Sequence, residues 1–90
     1  MNDLEVIPVI GSRIGWRDFV QQTRETDKDI RLVKQNEVIT DTKRYVFVNR
    51  RRSIQGLHYS TVVYVWGADL LDEFPDIKNE VKARIIANGK

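Results

Sequence analysis

Residues 45–69 read YVFVNRRRSIQGLHYSTVVYVWGAD, and the interpretation of this stretch decides the fold. Residues 45–48 and 61–66 are apolar runs of β-branched and aromatic side chains, which are strand signals. The second run is apolar almost without interruption. That predicts a strand covered on both faces, in the centre of a sheet flanked by helices. Residues 49–58, NRRRSIQGLH, join the two runs through a basic link broken by a glycine. The two strands would hold the ends of that link.

Upstream, residues 6–10 (VIPVI) read as a short strand ending at Gly11. Pro8 has no amide to donate, which favours an edge, a bulge or a strand start. Residues 11–15 (GSRIG) form a turn with Ser12 as a candidate N-cap. A helix is predicted from about 16 to 26, because Trp16, Phe19, Val20 and Thr23 recur at i, i+3, i+4 and i+7. Residues 30–33 read as a second strand and 37–40 as a weaker strand or an irregular arm. Downstream, residues 68–74 suggest a short helical turn. Pro75 suits the first position of a C-terminal helix. That helix carries Ile77, Val81 and Ile85 on one face and a cap at Asn88-Gly89. The order β-α-β-(β)-β-β-α predicts one small α/β domain over residues 1–90. It would have a mixed, mostly parallel sheet of four to five strands and two helices, in two or three layers. Trp16, Tyr64 and Trp66 are expected in its core.

The hydrophobic fraction of 41% and charged fraction of 31% belong to a folded chain. A domain of this length buries only roughly 60–65% of its unfolded surface, so its stability margin is small. With no cysteine, a disulfide, a thiolate metal site and a thiol nucleophile are excluded. The early residues are charged and no apolar run reaches membrane length, so a cytoplasmic chain with no membrane association is expected. His58 is the only histidine and has no patterned partner, so the expectation is no catalytic residue, no metal, no cofactor and no enzymatic activity. A homodimer is compatible with so small a domain, but no residue marks an interface.

The net charge of +2 hides a strong local bias. Residues 1–41 hold eight acids and six bases, and residues 68–90 hold five acids and four bases. Residues 42–67 hold five bases (Lys43, Arg44, Arg50, Arg51 and Arg52) and no acid. Arginine forks match phosphate oxygens, and His58 and Tyr59 add a donor and a ring on which a base could stack. Lys43, Arg44, Arg50, Arg51, Arg52, His58 and Tyr59 are therefore the candidate surface for nucleic acid or for a protein that handles it. Two other readings stand beside this one. The link could dock a protein, or it could be a solubilising loop whose arginines pair with Asp69, Asp72 and Glu73.

The strand, glycine turn and helix of residues 6–26 resemble the phosphate-binding segment of P-loop ATPases, in particular the cores of phage DNA-packaging terminases and related helicases. The residues that carry the resemblance are Gly11, Ser12, Arg13, Gly15 and Arg17. Asp69, Asp72 and Glu73 loosely resemble the second acidic motif of those proteins. The glycine spacing is shorter than in the motif. Trp16 stands where the lysine belongs, and Arg17 where the magnesium-holding Ser or Thr belongs. The resemblance therefore implies a shortened relative that no longer hydrolyses nucleotide, with a turn that could still cradle a phosphate. By analogy it implies a phage-type accessory or inhibitor protein.

Overall fold

Residues 5–10 form the middle of the sheet. In the computed structural model, which describes residues 4–88, β1 (Glu5–Ile10) lies between two parallel neighbours. These are β4 (Lys43–Val48) and β5 (Val63–Tyr64). Beyond β4 come β3 (Glu37–Thr40) and β2 (Ile30–Lys34), both antiparallel to their neighbours, giving the order β2-β3-β4-β1-β5. The five strands thus make two parallel and two antiparallel pairs, so the sheet is mixed but not mostly parallel. Residues 31–43 fold back twice in short turns, and only antiparallel pairing permits that.

Pro8 is tolerated at the centre for a specific reason. The Glu5 and Gly11 amides both donate toward β4, to the Thr42 and Val48 carbonyls at 3.0 and 3.1 Å. Along a strand the amides alternate in direction. Odd-numbered residues therefore face β4, and the missing Pro8 amide faces the β5 side. There pairing begins only at Val9, opposite Val63. The expected edge position exists, but it occupies one side of one residue in a central strand.

The run at 61–66 is the main departure from expectation. Only Val63 and Tyr64 pair, and they do so at the sheet edge. Tyr64 is 45% and Trp66 61% exposed, so neither is a core residue. Continuous apolarity reports burial on both faces, and here the outer part of the run is turned to solvent.

Side chains alternate between two cores. Val9 and Phe47 pack with Trp16 of α1 (Arg13–Thr26), while Ile10 and Val48 pack with Ile54, Ile77 and Val81. Ile54 lies on α2 (Arg51–Ile54), a single helical turn inside the link that was expected to be irregular. Ile77 and Val81 lie on α3 (Phe74–Asn88), which follows a 3-10 turn at Ala68–Leu70. Among the described residues three α-helices, one more than expected, sandwich the sheet in three layers. The inward faces read from the sequence hold: Trp16 is 2%, Ile77 0% and Val81 4% exposed, with Phe19, Val20 and Ile85 packed beside them. Ile30 and Val33 both face α1 although three positions apart, because a register shift between Ile30 and Leu32 resets the alternation. Gly89 of the expected C-terminal cap lies outside the described residues, as do residues 1–3. Among the described residues no helix is long and apolar enough to cross a membrane.

Candidate nucleic-acid interface

Because β1, β4 and β5 run parallel, their carboxyl ends share one edge of the sheet. Ligands of open α/β sheets bind beyond that edge. The glycine turn leaves β1 there, and residues 49–52 leave β4 there. The β2–β3 turn joins them, since the Phe47 amide donates to the Asn36 carbonyl at 2.9 Å. Lys43 and Arg44 lie at the other end, in register with Glu5 and Val6. His58 and Tyr59 line a recess with Leu4, Glu5 and Val6 at that same far end. A six-residue strand spans about 17 Å, so the expected basic surface is split in two. The carboxyl edge carries Arg50, Arg51 and Arg52 as well as Gly11, Ser12, Arg13 and Gly15, but Arg13 and Arg50 line different recesses that share no residue, and Arg17 lies a helical turn farther along α1. Lys43, Arg44, His58 and Tyr59 are not part of that group.

Arg50, Arg51 and Arg52 are all exposed, and Ile54, 1% exposed, anchors the turn that carries them. Arg51 is committed within the chain. Its Nε lies 3.2 Å from the Glu80 carboxylate, and its amide donates to Glu73 Oε1 at 3.0 Å. Arg50 and Arg52 have no side-chain hydrogen bond or ion pair among the described residues. Arg50 borders a recess of about 650 Å³ with Asn49, Leu70, Leu71, Asp72 and Glu73. The expected pairing with Asp69, Asp72 and Glu73 is therefore limited to Glu73, through a backbone amide.

At the far end, Arg44 is ion-paired with Glu37. Tyr59 is 5% exposed and sits in the core, so its ring offers no face to a nucleic-acid base. Burial pushes its phenol above the ordinary value, while the Arg84 guanidinium, 5.8 Å from the ring centroid, acts the other way. His58 is exposed.

The glycine turn is filled by the chain itself. Ser12 caps α1 as expected, its Oγ accepting from the Gly15 amide at 3.1 Å. The same hydroxyl donates to the Trp66 carbonyl at 2.9 Å, and the Ser12 amide donates to that carbonyl at 3.1 Å. A Cβ on Gly15 would lie 2.3 Å from the Trp66 oxygen, and one on Gly11 would lie 2.4 Å from Val65 Cγ2. The two glycines thus admit the 65–66 backbone to the place where a phosphate would have to sit. Arg13 reaches sideways, donating through one terminal nitrogen to the Gln35 carbonyl at 3.2 Å and to Asn36 Oδ1 at 2.8 Å.

No family model, curated protein or solved structure matches the chain.

Sequence reading missed Arg24, Lys34, Gln35 and Asn36, which join Arg13 and Arg17 around one groove or its rim. Part of the signal was available. At 100° per residue, Arg13, Arg17 and Arg24 fall within about 40° on one face of α1. The contribution of the β2–β3 turn depends on strand order, which periodicity does not report.

Proposed function

We propose that this chain is a non-enzymatic binding module that takes nucleic acid at the carboxyl edge of its sheet. The observation that supports this reading is the pair Arg50 and Arg52. Both are exposed, neither side chain has a partner among the described residues, and both are mounted on a turn whose far end is buried through Ile54. Guanidinium groups held by a rigid base meet phosphate oxygens at lower entropic cost than groups on a loose loop. Arg51 acts as a tether, binding α2 to α3 through Glu80.

Replacing both arginines (Arg50→Gln with Arg52→Gln) removes two phosphate contacts. The slope of log affinity against log salt is expected to become shallower by about two, with stability unchanged within about 0.5 kcal/mol. Fluorescence anisotropy of labelled single-stranded and duplex oligonucleotides across a salt series measures both the affinity and the slope. Identical wild-type and variant curves would remove the reading. Arg51→Gln should behave differently, costing up to about 1 kcal/mol of stability through its exposed ion pair.

A second reading, docking of a protein, is favoured by one observation. Tyr64, Trp66 and Leu70 are 45%, 61% and 68% exposed beside the two-residue edge strand β5. An extended segment of a nucleic-acid-handling protein could add to that edge. A partner that survives nuclease treatment and is lost from Trp66→Ala with Leu70→Ala supports this reading over the first. Nucleotide binding at residues 11–17 has less support, because the Trp66 carbonyl occupies the Ser12 amide and hydroxyl.

A further inference from the structure

We propose that the groove between α1 and the β2–β3 turn is a receptor for a chain of phosphate groups. It is separate from the Arg50 and Arg52 surface and does not depend on it. The groove is open to solvent, has a volume of about 810 Å³, and is lined by Arg13, Arg17, Arg24 and Lys34 over a floor that includes Trp16 and Val20. Among the described residues no carboxylate lines it.

Arg13 is the central element. Its guanidinium carbon lies 4.4 Å from the centroid of the Phe47 ring. One terminal nitrogen donates to the Gln35 carbonyl and to the Asn36 side-chain oxygen. Both acceptors are neutral, so the group is fixed in position with its charge uncancelled, and its other N–H groups remain available. The Arg17 and Arg24 side chains have no partner among the described residues. Lys34 has only a long contact, 3.6 Å, to Glu37, and Glu37 is also held by Arg44.

The helix strengthens the bias. Its first turn contains no acid, and Arg13 stands at its positive end, where cations are disfavoured. An anion in the groove would relieve that repulsion. Arg13 and Arg24 are eleven residues apart, so the cations extend over about 16 Å. That length suits a row of anions better than a single one. Planar guanidinium forks match phosphate oxygens, whether these come from inorganic polyphosphate or from a sugar-phosphate backbone.

The test titrates the full chain at low salt with inorganic tripolyphosphate, with labelled oligothymidylate and with polyglutamate, by calorimetry and anisotropy. The variant Arg17→Gln with Arg24→Gln removes no side-chain hydrogen bond or ion pair among the described residues, so its thermal midpoint should stay within about 4 °C of wild type. It should bind tripolyphosphate roughly ten-fold or more weakly. Arg50→Gln with Arg52→Gln should bind tripolyphosphate like wild type. Loss of oligothymidylate binding in the groove variant would identify a nucleic-acid backbone as the source of the phosphates. Tripolyphosphate binding without oligothymidylate binding would support the groove while removing the nucleic-acid reading above. The proposal is overturned if wild type binds neither phosphate ligand, if the groove variant binds both unchanged, or if polyglutamate binds as tightly as phosphate.

Discussion

Trp16→Ala is expected to lower the unfolding free energy by about 4 kcal/mol. Trp16 is 2% exposed and sits between Phe47 at 5.4 Å and Phe19 at 5.9 Å, measured between ring centroids. Truncation leaves a cavity between α1 and the sheet, and the flanking rings cannot close it without leaving their own positions. The indole Nε1 also donates to the Gln35 carbonyl at 2.9 Å, tying α1 to the β2–β3 turn. Small domains have total stabilities of about 5–15 kcal/mol, so this variant approaches the unfolding threshold. Trp16→Phe separates the two contributions. It keeps most of the buried ring and loses the hydrogen bond, while Gln35 still accepts from Arg13. Its expected cost is about 1–2 kcal/mol. Urea denaturation measures both variants. A Trp16→Ala cost below about 1 kcal/mol would show that α1 does not depend on this anchor.

Gly15→Ala is expected to cost about 3 kcal/mol and to lower the thermal midpoint by roughly 12–24 °C. The added methyl would lie 2.3 Å from the Trp66 oxygen and 2.9 Å from the Trp66 nitrogen. Both are backbone atoms and cannot rotate away. Either α1 or residues 65–67 must shift, and the Ser12 bonds to the Trp66 carbonyl are lost with the shift. Gly56 is the control. It has φ +84°, but a methyl added there would meet nothing within 4 Å. Gly56→Ala therefore carries only the left-handed backbone penalty, about 1 kcal/mol. Thermal melts of the two variants distinguish crowding from backbone conformation. Equal losses would show that the packing of residues 65–66 over the glycine turn contributes nothing.

The glycine turn shows how far a sequence pattern reaches. Strand, helix and the Ser12 cap were legible, because each rests on neighbours within a few residues, but α1 begins at Arg13 and takes in residues 13–15, which read as turn. The occupant of the turn was not legible. Gly11 and Gly15 permit close approach by a phosphate or by a backbone, and the choice is made by residues 65–66, some fifty positions away. The basic surface behaved similarly. Five cations within residues 42–67 looked like one patch, yet β4 carries Lys43 and Arg44 at one end and delivers the arginine triplet at the other.

Local order was written in the chain itself. The 3.6-residue repeat marked α1 and the inward face of α3, and β-branched runs marked most of β4 and overran β5 at both ends. Such patterns arise from side chains a few bonds apart, which meet in any tertiary arrangement. Strand order was decided only by the folded structure. It placed the proline-bearing β1 in the centre, sent the apolar run at 61–66 to the edge, and set the arginine stripe of α1 beside Gln35 and Asn36. Those outcomes depend on which distant amides and carbonyls pair, and on which core the side chains then fill, so no short window of sequence could record them.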